Sequence, residues 1–266
     1  MMVEEAANII DGVRKQGPLV DCITNFVTVN DCANILLAFG ASPAMCDAYD
    51  AAYAFAGISG ALYINMGTYI KEHEAAAVEA ALGAKKAGRP IVVDPVGCGA
   101  IRNQITMLDH LHEVAGIDLI KGNMGEIMIL AGKDAEVKGV DSDGAIPGIE
   151  EAVNLVAAKY RCVTAATGQV DVVGDGNRLA RISNGVEMFT KITGAGCMTG
   201  ALCGAAAAVA EGAMFAAAVA AIAVMGIAGE LAFEKARLPG SFRVALIDSI
   251  YGINGDTLRQ RGKVQC

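Results

Sequence analysis

Short apolar runs recur along the chain at residues 19–24, 61–65, 91–94, 118–121 and 162–166, several of them bounded by glycine, proline or asparagine. Runs of this length and spacing read as buried strands. Between them, residues 29–38, 71–87, 103–114, 124–130 and 150–160 have the length or the apolar spacing of helices. Strands alternating with helices of crossover length predict a largely parallel sheet, so the expected fold class is α/β. From Val170 the pattern changes: 170–173 and 178–183 are two short strands joined by Gly174-Asp175-Gly176-Asn177, the signal of a hairpin at an antiparallel edge of the sheet. The chain then passes through Asn184-Gly185 and a glycine-punctuated turn at 190–200 into two alanine-rich helical runs, which are expected to close the domain. No repeat or low-complexity linker divides it, and residues 1–266 read as a single domain. Residues 134–148, where glycine and aspartate interleave, are expected to form a surface loop.

Residues 212–229 contain no charge and are long enough to raise the question of a membrane span. Nearly half of them are alanine, and no Lys or Arg cluster or aromatic belt flanks them. The expectation is therefore two small-faced helices packed inside a soluble domain, with no membrane partner.

Composition narrows the function. Apolar residues make up 54% of the chain, ample for a core, and the formal charge is −8. No basic stripe exists to follow a nucleic-acid backbone, so an anionic substrate needs a local pocket. The eight cysteines fall at 22, 32, 46, 98, 162, 197, 203 and 266 with no Cys-x-x-Cys pair. That supports neither a disulfide framework nor a zinc site, and fits a reducing cytoplasm. The N-terminus lacks a basic segment followed by an apolar core, so no secretory signal is expected.

Candidate chemistry sits where parallel strands end, because ligands bind beyond the carboxyl ends of such a sheet. The strand ends carry Asn25, Met66-Gly67-Thr68, Asp94-Pro95-Val96-Gly97, Gly122-Asn123 and Thr167-Gly168, and the turn Thr193-Gly194-Ala195-Gly196-Cys197 would open on the same rim. Gly194 and Gly196 permit a tight turn whose first helical N–H groups stay unpaired, a phosphate site. Cys197 would stand at the positive end of the helix dipole, which favours thiolate and makes it a nucleophile or a base. Alternatively, Gly-x-Gly is a plain turn with close packing. Asp94 and Glu126 offer hard oxygens suited to Mg²⁺ beside phosphates, or else Asp94 caps the following segment and Glu126 starts a helix near its favourable N-terminus. Lys121 reads as a phosphate partner or a snorkelling surface lysine, and Thr167-Gly168 as part of the site or a plain turn. His73, His110 and His112 read as surface residues away from the rim.

The blocks Ile23-Thr24-Asn25-Phe26-Val27-Thr28-Val29-Asn30, Ala33-Asn34, Gly40-Ala41-Ser42-Pro43-Ala44-Met45, Asn65-Met66-Gly67-Thr68, Asp94-Pro95-Val96-Gly97-Cys98-Gly99-Ala100, Gly122-Asn123 with Glu126-Ile127, Thr193-Gly194-Ala195-Gly196-Cys197 and Pro239-Gly240-Ser241-Phe242 occur in this order. Together they resemble the hydroxyethylthiazole kinases of thiamine salvage, almost end to end. The resemblance implies a ribokinase-like α/β fold and Mg²⁺-dependent transfer of the ATP γ-phosphoryl group to the hydroxyl of 4-methyl-5-(2-hydroxyethyl)thiazole, in a homotrimer with active sites between subunits. Carried over by motif, Met45 and Gly194 would contact the thiazole, with Asn25 and Gly67 lining the same pocket. Lys121 and Thr167 would contact ATP, Asp94 and Glu126 would organise Mg²⁺ and phosphates, and Cys197 would face the reacting hydroxyl as a base. The family usually has Arg where this chain has Lys121, which keeps the charge and loses the planar fork. Two other readings remain at this stage: a related kinase of another small alcohol such as hydroxymethylpyrimidine, and a non-catalytic ligand-binding or redox-sensing module.

Overall fold

The computed structural model describes residues 1–67, 71–133 and 147–266. Nine strands among them form one sheet in the order β2-β1-β3-β4-β5-β6-β7-β8-β9. The parallel part comprises β1 (Leu19–Ile23), β2 (Ser42–Ala44), β3 (Ala61–Asn65), β4 (Ile91–Asp94), β5 (Leu119–Asn123) and β6 (Val163–Thr167). The antiparallel part adds β7 (Asp171–Gly174), β8 (Leu179–Ile182) and β9 (Val264–Gln265). Buried on both faces, the central strands are mainly apolar, as a sheet covered by helices on both sides demands, with Asp21, Asn65, Asp94, Lys121 and Thr164 as their buried polar residues.

One face is covered by α1 (Met2–Gln16), α2 (Val29–Phe39), α8 (Ala195–Ala208), α9 (Met214–Lys235), α10 (Pro239–Gly252) and α11 (Gly255–Arg261). The other carries α3 (Tyr49–Ile58), α4 (Lys71–Lys86), α5 (Arg102–Ala115), α6 (Met124–Leu130) and α7 (Ile149–Tyr160). The alanine content of the last third of the chain follows from its place. Every residue of α8 from Cys197 to Ala207 is buried, and so are fifteen consecutive residues of α9, Phe215 to Gly229. Among the described residues α9 is the one helix long and apolar enough to cross a membrane, and 83% of its apolar stretch is buried inside the fold. Small side chains let such helices lie against one another and the sheet without voids.

The periodic elements match their expected positions within about two residues. The two alanine-rich helices do not end the domain, however: α10, α11 and β9 follow. The expected hairpin, β7 and β8, forms the antiparallel side of the sheet, and the two-residue β9 pairs outside it. Residues 134–146 of the expected loop, and Thr68, lie outside the described residues.

Candidate active site

Strand alternation decides which side chains meet. Tyr63 on β3, Val92 on β4 and Leu119 on β5 belong to the core under α8. Residues two further on share that face, which brings Asn65, Asp94 and Lys121 together at the strand ends. The register agrees, with Asn65 opposite Asp94. Asp94 and Lys121 border a cavity of about 1410 Å³ that also takes in Asn25, Gly67, Glu126, Thr167, Gly194 and Cys197. Of the expected site residues only Met45 lies elsewhere. It follows the edge strand β2, half-buried and packed on the core, because β2 pairs on the far side of β1 from β3.

The Gly194 turn is dictated by its backbone. Gly194 caps α8 with φ 83° and ψ 1°, and a Cβ there would lie 2.8 Å from Thr28 Cγ2, so both conformation and space select glycine. No side chain caps this helix. The first intrahelical bond is from the Met198 N–H to the Gly194 carbonyl, 2.8 Å, which leaves the N–H groups of the first turn without a helical acceptor. Cys197, 9% exposed, presents its sulfur to the cavity wall, where the Asn25 amide nitrogen donates to it at 3.5 Å.

Beneath the turn lies a buried ion pair. Lys121 Nζ is 3.0 Å from Asp94 Oδ2, with side chains 3% and 1% exposed, so Lys121 is neither a surface lysine nor a free arm. A Cβ on Gly196 would approach its ammonium to 3.2 Å, so the charge sits under the first turn of α8. Burial lifts Asp94 to about 6, although Lys121 pulls the other way. Burial also works against the Lys121 ammonium, but Asp94 and Glu126 outweigh it and hold the lysine above its ordinary value. At neutral pH the pair is ionic. Asp94 Oδ1 is buried with no hydrogen-bond partner.

Glu126 performs the local task that its position in the sequence allowed. It forms a capping box with Asn123 at the start of α6, accepting from Asn123 N–H at 2.7 Å while Asn123 Oδ1 accepts from Glu126 N–H at 2.9 Å. Its other oxygen accepts from Gly97 N–H at 2.8 Å, which ties the loop after β4 to the start of α6. Thr167 donates to the Gly122 carbonyl at 3.2 Å. Of the histidines, His110 is exposed, while His73 pairs with Asp47 at 3.2 Å and half-buried His112 packs edge-on against Tyr160.

The structure adds residues that strand-end reading did not find. Asp171 opens β7 and lines the cavity, where its Oδ1 accepts from Gly168 N–H at 2.8 Å. Burial lifts it to about 7. Tyr63, fully buried, lies behind the wall with its hydroxyl 3.0 Å from the Cys197 carbonyl. A polar-tipped ring inside an apolar strand was the available signal, since a buried tyrosine hydroxyl requires partners.

The model of the hydroxyethylthiazole kinase family matches residues 10–256. The chain is 55% identical over 258 residues to Hydroxyethylthiazole kinase 2 of Clostridium botulinum (strain Loch Maree / Type A3), covering 97% of this chain and 98% of that one. It is 50% identical over 264 residues to the hydroxyethylthiazole kinase of Clostridium kluyveri, covering 99% and 98%. Among solved structures, the hydroxyethylthiazole kinase protein of Pyrococcus horikoshii OT3 superposes with a TM-score of 0.89 at 37% identity over 98% of both chains. The pyridoxal kinase of Staphylococcus aureus in complex with ADP shares the fold, with a TM-score of 0.61 at 14% identity over 79% of this chain and 86% of that one.

Proposed function

The chain belongs to the hydroxyethylthiazole kinase family, and from that premise we propose how its cavity carries out the reaction. It is a phosphotransferase of thiamine salvage that uses ATP to phosphorylate the hydroxyl of hydroxyethylthiazole. The observation that carries the mechanistic reading is the meeting of Cys197, the uncapped start of α8 and the Lys121–Asp94 pair at one wall of one cavity. At about 1410 Å³ it exceeds the ~300–1,000 Å³ of a usual small-molecule pocket and suits two substrates bound together.

In this reading the thiazole hydroxyl lies beside Cys197 Sγ, with Asn25, Gly67 and Gly194 around it. The thiolate takes the hydroxyl proton as the new O–P bond forms and the bond between the γ-phosphorus and the β–γ bridging oxygen breaks, leaving ADP. The transferring group crosses the start of α8, where N–H groups without acceptors and the Lys121 ammonium face its equatorial oxygens. Such charge stabilisation and alignment supply most of the rate in phosphoryl transfer. Proton removal by a positioned base adds roughly 10²–10⁴-fold. Thr167 and the Gly168 turn held by Asp171 fall to the nucleotide side.

The donor set fits Mg²⁺. Asp94 Oδ1 is a buried acceptor lacking a partner, and Glu126 retains lone pairs beyond its two backbone bonds. Among the described residues no group of three or more His, Cys, Asp or Glu forms a metal cluster, which suits an ion that takes one or two carboxylates and completes its shell with water and phosphate oxygens. When bound, Mg²⁺ would neutralise phosphate charge.

The remote position of Met45 and the exposed apolar residues Phe26 (72%) and Tyr49 (59%) support a homotrimer in which Met45 of the partner subunit completes the thiazole pocket. Val27, at 60% exposure, lies on the cavity lining itself. All eight cysteines are free, which supports a cytoplasmic location. Replacement Cys197→Ala tests the mechanism: kcat is expected to fall roughly 10²-fold or more with little change in KM for ATP, and a kcat near that of the unmodified enzyme would remove the base from the account.

A further inference from the structure

Cys197 is held by a chain of amides whose orientation the backbone dictates. Asn25 Oδ1 accepts from Val27 N–H and Thr28 N–H, both at 3.1 Å. Its NH₂ must therefore point the other way, where it donates to Asn65 Oδ1 at 2.9 Å and to Cys197 Sγ at 3.5 Å. The same logic fixes Asn65. Its Oδ1 also accepts from Gly67 N–H at 3.0 Å, so its NH₂ is left to donate to the Tyr63 hydroxyl at 2.9 Å. That hydroxyl, having accepted from Asn65, directs its own proton to the Cys197 carbonyl at 3.0 Å, with Asp94 Oδ2 the alternative at 3.4 Å. Three backbone N–H groups thus set both amides, since turning either one over would put donor against donor.

The consequence falls on sulfur. Asn25 offers it a donor, so Cys197 Sγ is met as an acceptor, the role a base must play. The Tyr63 hydroxyl fits only because α8 has a glycine above it: a Cβ on Gly200 would lie 2.4 Å from that oxygen. Strand β3 thereby grips the first turn of α8 at two points, the Cys197 sulfur through Asn65 and Asn25, and the Cys197 carbonyl through Tyr63.

We propose that Asn65 and Tyr63 are positioning residues that hold Cys197 as a proton acceptor, by fixing the Asn25 amide toward its sulfur and tying its carbonyl to β3. Neither touches the substrate in this assignment. The inference rests on the reading of Cys197 as the base, and its test is chosen to be separable from that reading.

The test is alkylation of Cys197 by iodoacetamide, followed by mass spectrometry of the peptide that contains it. The rate at neutral pH is divided by the rate at alkaline pH, where the thiol is fully ionised, so that access cancels. Asn65→Leu releases the Asn25 amide and leaves Lys121, Asp94, Glu126 and Cys32 in place. The ratio is expected to fall roughly three- to tenfold, the worth of one ordinary hydrogen bond. A ratio equal to that of the unmodified enzyme would overturn the proposal. Should Asn65→Leu fail to fold, Tyr63→Phe keeps the ring and removes the anchor of Asn65, and a smaller fall is expected; no fall in this variant likewise overturns it. A fall in the ratio with kcat unchanged would support the positioning chain while removing the base role, which keeps the two failures apart.

Discussion

Replacing Asp94 by Asn should destabilise the fold through the lysine it leaves behind. The Lys121 ammonium is 3% exposed and 3.0 Å from the Asp94 carboxylate, while both Glu126 oxygens already accept backbone N–H groups. Removing one partner of such a buried pair costs about 3–5 kcal/mol, because a charge remains without compensation. Lysine can escape by losing its proton, but from an ordinary value of 10.4 that costs about 4.6 kcal/mol at pH 7, so the escape caps the penalty without lowering it much. At 2–4 °C per kcal/mol for a chain of this size, the melting temperature should drop by about 10 °C. Scanning calorimetry without ligands reads the effect. The double replacement Asp94→Leu with Lys121→Met is the control: with both charges gone it should regain most of the loss, since well-packed apolar substitutes for a buried pair are often neutral or better. Both variants should be inactive, which separates the stability argument from the catalytic one. A melting temperature within 2 °C of the parent for Asp94→Asn would refute the buried pair.

Three further outcomes follow from named contacts. Asp21 is fully buried with Oδ2 unpartnered, and burial lifts it to about 7. Its folded value lies above its unfolded value, so between about pH 4 and 7 the native state binds more protons and stability falls as pH rises. Asp21→Asn should raise the melting temperature at pH 8 and change it little at pH 5, and a lower melting temperature at pH 8 would contradict this. Gly200→Ala gains about 1 kcal/mol of helix propensity but drives a methyl to 2.4 Å from the Tyr63 hydroxyl, overpacking that costs typically 1–3 kcal/mol. Activity should drop more than stability, measured as kcat against urea midpoint, and an active, stabilised variant would show that Tyr63 can move freely. Met45→Ala should raise KM for the thiazole and leave KM for ATP unchanged in steady-state assays; equal effects on both would argue against its completing the thiazole pocket.

The legible part of the molecule was the part governed by periodicity. The parallel strands and α6 stood out because buried strands are apolar runs and the crossover helices have helical length or apolar spacing. The short edge strands did not: β2 contains Pro43 and β9 is two residues long, so their pairing comes from neighbours and not from their own composition. Strand-end logic collected Asn25, Asp94, Lys121, Thr167 and Cys197 correctly at one cavity, because a parallel sheet brings all its carboxyl ends to one rim. It could not see Tyr63, which lies inside a strand, or the burial of Lys121, which depends on α8 closing over the sheet. Asp171 escaped because it begins an antiparallel strand, whose start lies at the rim where parallel strands end. Met45 marks the opposite limit: its motif was legible, while its distance from the cavity is set by the order of β2 and β1.

The central claim is tested most directly by coupled ATP turnover with purified enzyme, hydroxyethylthiazole or hydroxymethylpyrimidine as acceptor, and Mg²⁺ present or chelated. The account predicts ADP release in step with thiazole phosphate, little turnover with the pyrimidine, and loss of the reaction on chelation. Turnover that prefers the pyrimidine, or binding of the thiazole without ADP release, would contradict it.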